Sequence, residues 1–180
     1  MRWWFGACIA LPAAAVWSAI VAFKEARNAK AAPQHSAPGE NGRMTSAPSI
    51  LELLAFAAEP GGGNPAGVVL DAVALDAAQM KRIATDLGHP ETAFVGERDG
   101  RLVAVRYFSP GAEVPFCGHA TIATAVALAE RDGAGDVVFE TAAGEVELRS
   151  TLDADGRITV AFTSVAPEVR DLDPDVRDRL

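Results

Sequence analysis

The sequence predicts an α+β domain, a mostly antiparallel curled sheet around a central apolar helix, and three observations carry that prediction. From Ile50 onward the 180-residue chain breaks into short apolar runs separated by turn residues. Several of these runs alternate with period two, as half-buried strands do: Val146 and Leu148 against Glu145, Glu147 and Arg149, then Ile158, Val160 and Phe162 against smaller residues. The third is the stretch Ala120 to Ala129, ATIATAVALA, which carries no charge on any face. A helix that is apolar all round must be enclosed, and a flat sheet would cover only one of its sides. The sheet must therefore curl.

Taken in order, Ile50 to Phe56 and Ala66 to Leu70 read as strands. Between them the loop GGGNPAG, residues 61 to 67, has glycines and a proline, Pro65, that continue neither element. Asp76 with Gln79 forms a capping-box start for a helix whose apolar face is Met80, Ile83, Ala84 and Leu87, and Gly88 stops it. Lys81, Arg82 and Asp86 face water. The stretches Glu91 to Glu97 and Leu102 to Ser109 flank Asp99-Gly100, a tight-hairpin dipeptide, and read as an antiparallel pair. Val137 to Thr141, Glu145 to Thr151 and Arg157 to Thr163 continue the sheet, with Asp155-Gly156 as another hairpin turn.

Composition narrows the function classes. Sixteen Lys plus Arg against twenty-four Asp plus Glu leave a net charge of -8, and no basic cluster offers the concentrated positive charge that phosphate contacts need. Nucleic acid is not an expected partner; a small-molecule substrate is. With 49% hydrophobic residues the chain can bury a real core, one domain and an appendage rather than two full domains. Cys8 and Cys117 lie in unrelated contexts and make no disulfide framework. His35, His89 and His119 lack HxxxH or CxxC partners, so no metal site is expected. No P-loop and no G-x-S-x-G are present.

Four regions follow. Residues 1 to 23 contain an uncharged run of twenty-one residues between Arg2 and Lys24, long enough to cross a bilayer as a helix. It is read as a membrane anchor, a secretory signal, or upstream sequence translated from a wrong start with Met44 as the true beginning. Lys24, Arg27 and Lys30 follow it, which on the positive-inside rule disfavours export and leaves the rest in the cytoplasm, the expected location. A membrane contact is expected only if that run is a real anchor. Residues 24 to 49 read as a disordered linker of Ala, Pro, Ser and Gly. Residues 50 to 165 are the folded domain, and residues 166 to 180 read as the truncated start of a second one, because Asp173-Pro174 opens a helix that Leu180 cuts short.

Chemistry concentrates at Pro115-Phe116-Cys117-Gly118-His119-Ala120-Thr121, where a strand-like approach turns into the enclosed helix. Backbone N–H groups there lack intrahelical partners and attract a carboxylate or developing oxyanion, and Gly118 allows close approach. Cys117 at a helix start would have a lowered pKa and could move protons, or it is a buried apolar cysteine. His119 is a site imidazole or a capping hydrogen-bonder. Glu91 heads the apolar strand Glu-Thr-Ala-Phe-Val and shares a face with Ala93 and Val95; desolvated there it would exchange protons near neutrality, and swung outwards it would do nothing. Asn64 is a turn former or a ligand contact.

The ordered set GNPAGVVL (63 to 70), GHPETAFV (88 to 95) and VRYFSPGAEVPFCGHAT (105 to 121), followed by the apolar helix, resembles the N-terminal half of PhzF-type phenazine biosynthesis proteins over roughly residues 50 to 165. The resemblance implies the diaminopimelate-epimerase-like fold, two similar halves each wrapping a sheet around a central helix. It implies a site in the crevice between them, with no cofactor. Carried over by motif, Glu91 becomes the proton-shuttling acid/base, His119 the site histidine and Gly118 a backbone donor. Glu91, His119 and Cys117 are thus the expected catalytic residues, and Asn64, Gly118 and Thr121 the expected substrate contacts. Two residues depart from the pattern. Pro90 stands where the family commonly has serine, and Cys117 is alanine in some members. In the related racemases and diaminopimelate epimerase a cysteine before Gly-His or Gly-Asn is itself an acid/base, which leaves a Cys117-dependent racemase open. The family's second half, which contributes an acidic residue, is missing.

The expected function is that of a cofactor-independent isomerase relocating a proton on a small carboxylated metabolite, as a truncated PhzF-like protein. The alternative is a non-catalytic half-protein or binding module that needs its missing half. Half a crevice exposes apolar surface, which makes a second copy of the chain an expected partner.

Overall fold

The computed structural model describes residues 16–19, 49–57 and 62–163. Its elements run β1 (Val16–Ala19), β2 (Ile50–Ala55), β3 (Asn64–Val69), α1 (Ala77–Leu87), β4 (Glu91–Asp99), β5 (Leu102–Phe108), β6 (Glu113–Val114), α2 (Gly118–Asp132), β7 (Asp136–Thr141), β8 (Gly144–Leu152) and β9 (Ile158–Thr163). Among the described residues all nine strands belong to one sheet in the order β1-β9-β8-β7-β5-β4-β3-β2, with β6 added to β5. The class is α+β, a curled mixed sheet with two helices.

Most neighbouring pairs are antiparallel, as expected, and two, β3–β4 and β5–β7, are parallel. The reason is connectivity. Parallel neighbours need a crossover of a dozen or more residues, and α1 and α2 supply it. The first crossover helix, α1, starts on the expected capping box, Asp76 Oδ1 accepting from the Gln79 amide at 2.7 Å and Gln79 Oε1 from the Asp76 amide at 2.8 Å, and ends at Gly88 in the left-handed region.

The helices lie on opposite faces of the sheet. Along β4, Ala93 and Val95 join the large core cluster with α2, while Phe94 joins Met80 and Ala84 of α1 in the smaller one. On α2, every residue from Ala120 to Ala129 is buried, the same ten residues that carry no charge. Helix α2 touches β2, β3, β4, β8 and β9, so strands from both ends of the sheet order close over it. Burying each of Ile122, Val126 and Leu128 stabilises this arrangement by about 1.5–3 kcal/mol.

Two local expectations are corrected. Asn64 and Pro65 belong to β3 rather than to a loop. Pro65 sits opposite Leu54, and the pairing with β4 begins only at Ala66, so the missing N–H falls near the strand's start. At the other end of that hairpin β2 stops at Ala55, because Phe56 turns into the left-handed region with φ 58. Gly63 closes the turn at φ +91 and packs so tightly that a Cβ would lie 2.5 Å from the Ala55 carbonyl oxygen.

Val16–Ala19, inside the apolar N-terminal run, is a strand beside β9, so that part of the run is not helical. No helix among the described residues is long and apolar enough to cross a membrane. The expected linker from residue 24, with Met44 inside it, and the Asp173-Pro174 helix start lie outside the described residues.

Candidate active site

Glu91 and the first turn of α2 meet on the inner face of the sheet. Glu91 opens β4 directly after Pro90, opposite Ala66 of β3, and the strand's alternation puts it on the same side as Ala93 and Val95, towards α2. Cys117 is the N-cap of α2 with extended backbone, Gly118 is its first residue and His119 its second. Glu91 Oε2 lies 3.4 Å from His119 Nε2, and the two side chains are 24% and 14% exposed. Cys117 Sγ lies 3.2 Å from His119 Nδ1. The three ligand-type atoms all fall within 4.8 Å of one another.

A 3.4 Å separation is longer than a strong N–H to carboxylate hydrogen bond, so neither Glu91 nor His119 is consumed by the other. Of the two readings of Cys117, a thiol with a lowered pKa and a buried apolar cysteine, the structure matches the second. Burial pushes its thiol up to about 11, and the nearby Glu91 carboxylate adds to the rise, while the backbone amides of Ala120 and His119 pull it down less strongly. The helix-start effect is real but desolvation outweighs it, and the thiol is protonated at neutral pH. With a protonated thiol, S–H donates to Nδ1, which leaves Nε2–H facing Glu91.

Thr121 does not face the site as a substrate contact would. It is fully buried; its hydroxyl donates to the Cys117 carbonyl at 2.7 Å and meets Tyr107 Oη at 2.7 Å. Its role is to hold the N-terminal turn of α2 from beneath. Tyr107, which sequence reasoning passed over, is the other half of that brace. Burial raises its phenol well above the usual tyrosine range. The signal was there: Tyr107 shares a strand face with Val103 and Val105, and a tyrosine on an inward face needs a partner for its hydroxyl. Phe116, also missed, packs against Tyr107 and Phe162 with ring centroids 6.2 and 6.1 Å apart and walls the turn.

Asn64 is exposed at the start of β3, two residues before the Ala66 that pairs with Glu91, so it shares the site's end of the sheet without joining the cluster. Gly118 leaves the helix mouth open, since even an added Cβ would meet only the Phe162 ring, at 3.9 Å. His89 sits elsewhere, with Nε2 2.8 Å from Glu52 Oε2 and Glu52 on the β2 face turned away from the main core.

Fold and site together define a curled α+β domain that presents a carboxylate, an imidazole and a thiol at the N-terminus of an enclosed helix. The chain belongs to the phenazine biosynthesis-like protein family, PhzC-PhzF, whose family model matches residues 53–179. It is 50% identical over 107 residues to a protein of Deinococcus radiodurans named an uncharacterized isomerase, a match covering 58% of this chain and 35% of that protein. A crystal structure of a PhzF-family phenazine biosynthesis protein from Bacillus anthracis superposes with a TM-score of 0.56 at 37% identity, over 62% of this chain and 38% of the other. The structure of a predicted epimerase from Pseudomonas aeruginosa gives a TM-score of 0.60 at 29% identity, over 64% and 42%. The chain thus spans about a third to under a half of these relatives' length.

Proposed function

We propose that this chain carries one wall of a cofactor-independent isomerase site that relocates a proton on a small carboxylated metabolite. The observation that carries the reading is the 3.4 Å approach of Glu91 to His119 across the head of a strand and the mouth of a sealed helix. Glu91 removes a proton from a carbon activated by the neighbouring unsaturation or carboxylate, then redelivers it to another carbon or to the other face of the same one. His119 and the Gly118 amide hold the negative charge that develops on substrate oxygen. Asn64, at the same end of the sheet, orients the substrate. The protonated Cys117 thiol orients His119 through Nδ1 and serves as an acid rather than as a base.

The family names support the isomerase class, and the likeness to PhzF structures supports a diaminopimelate-epimerase-like half as the finer fold. The test is incorporation of solvent deuterium into a panel of small amino and unsaturated carboxylic acids. Exchange that is present in the wild-type chain and lost in Glu91→Gln supports the role, and full exchange in that variant overturns it.

One observation favours a second reading. The match covers only 35% of the Deinococcus relative, so the crevice's other wall has its counterpart in residues that the match does not reach. On this reading the chain binds but does not turn over until a second half, or a second copy, completes the site. Light scattering on the purified chain separates the two: a stable, inactive monomer that stays inactive with an added second half argues against the half-site picture.

A further inference from the structure

We propose that Glu91, Cys117 and His119 form a three-ligand site for a thiophilic divalent cation, Zn2+, and that the bound ion blocks proton transfer. The blocking rests on the function proposed above; the binding does not. A tetrahedral zinc ion with bonds of about 2.0–2.3 Å holds its ligand atoms about 3.4–3.6 Å apart. Around His119 Nε2 the observed separations are 3.4 Å to Glu91 Oε2 and 3.9 Å to Cys117 Sγ, and all three groups lie within 4.8 Å of one another. Closing the site requires the Cys117 thiol to leave Nδ1, where Sγ lies at 3.2 Å, and swing towards the Nε2 edge that Glu91 Oε2 faces at 3.4 Å.

The donor set fits the ion. Sulfur, nitrogen and oxygen together suit zinc, while magnesium and calcium take oxygen alone. A thiolate and a carboxylate neutralise the ion's two charges and the imidazole stays neutral, so the positive end of α2 faces no net positive charge. On binding, an S–Zn bond replaces the Cys117 S–H bond and the displaced proton goes to water. Both ligand-bearing elements are fixed by the core: His119 and Cys117 by the sealed helix, Glu91 by the head of β4. The side chains of Glu91 and His119 keep 24% and 14% exposure, which leaves an entry path and a fourth coordination position. Sequence spacing hides such a site, since Cys-x-His and a glutamate from another strand make no linear metal motif. A bound ion occupies the Glu91 lone pair that removes the proton and the His119 Nε2 that would otherwise donate to substrate oxygen.

The test is titration of the full chain with Co2+ as a spectroscopic stand-in, followed by displacement with Zn2+. One equivalent should produce a thiolate-to-cobalt charge-transfer band and the strong visible absorption of a tetrahedral centre, both unchanged in Cys8→Ser. The charge-transfer band should vanish in Cys117→Ser, and affinity should fall at least about tenfold to a hundredfold in His119→Gln and Glu91→Gln. No band in a chain shown by circular dichroism to be folded, or a band that survives Cys117→Ser, overturns the site. Deuterium exchange that stops with Zn2+ and returns with a chelator supports the block. Exchange that continues at saturating Zn2+ overturns the block alone, and absence of exchange in metal-free wild type overturns turnover by this chain on its own while the cobalt band keeps the site.

Discussion

Helix α2 behaves as two different regions joined without a break. Its body, Ala120 to Ala129, is buried on every side, and both of its hydroxyls are satisfied: Thr121 donates to the Cys117 carbonyl and Thr124 to the Ala120 carbonyl, each at 2.7 Å. Its mouth, Cys117 to His119, stays half-buried, with an imidazole that a thiol and a carboxylate approach at 3.2 and 3.4 Å. The body makes the helix immobile, and immobility lets incompletely engaged groups at the mouth keep their geometry. Stability and reactivity are thus divided along a single element, and substitutions in the two regions should fail in different ways.

The largest effect is expected at the mouth. Glu91→Gln should lower deuterium exchange by about 10²–10⁴-fold, the usual contribution of a positioned acid/base, while unfolding free energy moves by no more than about 1 kcal/mol. A loss of stability matching the loss of exchange would erase the contrast between the regions. In the body the pattern should invert. Ile122→Ala, at 1% exposure, should cost about 2–5 kcal/mol in denaturant unfolding, because the surrounding strands cannot collapse onto the cavity.

The body was legible in the sequence and the mouth only in part, for physical reasons. Ten uncharged residues in a row imply enclosure whatever encloses them, and Asp76, Gln79 and Gly88 are local signals for a helix's ends. Parallel pairing of β3 with β4 and of β5 with β7 is a non-local choice that no short stretch encodes. At the site, alternation along β4 was enough to aim Glu91 inwards. The ionisation of Cys117 was not readable, because it depends on how much water the folded chain excludes, and desolvation there exceeds the attraction of the helix start. Nor was the engagement of Thr121 by Tyr107, which spans strand and helix.

Cys117 sharpens the comparison through pH. Its thiol is raised to about 11, so the alkylation rate with iodoacetamide should climb throughout the alkaline range and level off only near that pH. At neutral pH it should be about a hundredfold slower than for an unshifted cysteine, two units of pKa corresponding to two decades of thiolate. The folded thiol holds its proton more tightly than the unfolded one. Its contribution to stability is therefore complete below the unfolded pKa and is lost as pH rises towards 11. A plateau reached near neutrality would restore the lowered-pKa expectation and with it a thiolate base.

The brace beneath the mouth links the two regions. Thr121→Val removes the partner of the buried Tyr107 hydroxyl and should cost about 1–3 kcal/mol. If the brace positions His119, exchange should fall with it, and Tyr107→Phe in addition should cost little more, since the orphaned hydroxyl is then gone. Independent, additive losses would show that Tyr107 and Thr121 do not act as a unit.

The smallest expected effect has the opposite sign. Thr92, next to Glu91 on β4 but on the α1 side, is fully buried, and its hydroxyl finds no hydrogen-bond partner. Its neighbours there are apolar or bare backbone, Leu87 and Gly67 lying close enough that a Cβ on Gly67 would meet both Leu87 Cδ1 and Thr92 Oγ1. An unpaired buried hydroxyl costs free energy that a methyl group of similar shape does not. Thr92→Val should therefore raise the unfolding free energy by up to about 1 kcal/mol, where the same change at Thr121 lowers it. Equal destabilisation at both positions, measured by denaturant midpoint at unchanged slope, would mean that Thr92 has a partner in solution and that the sheet's two faces are satisfied alike.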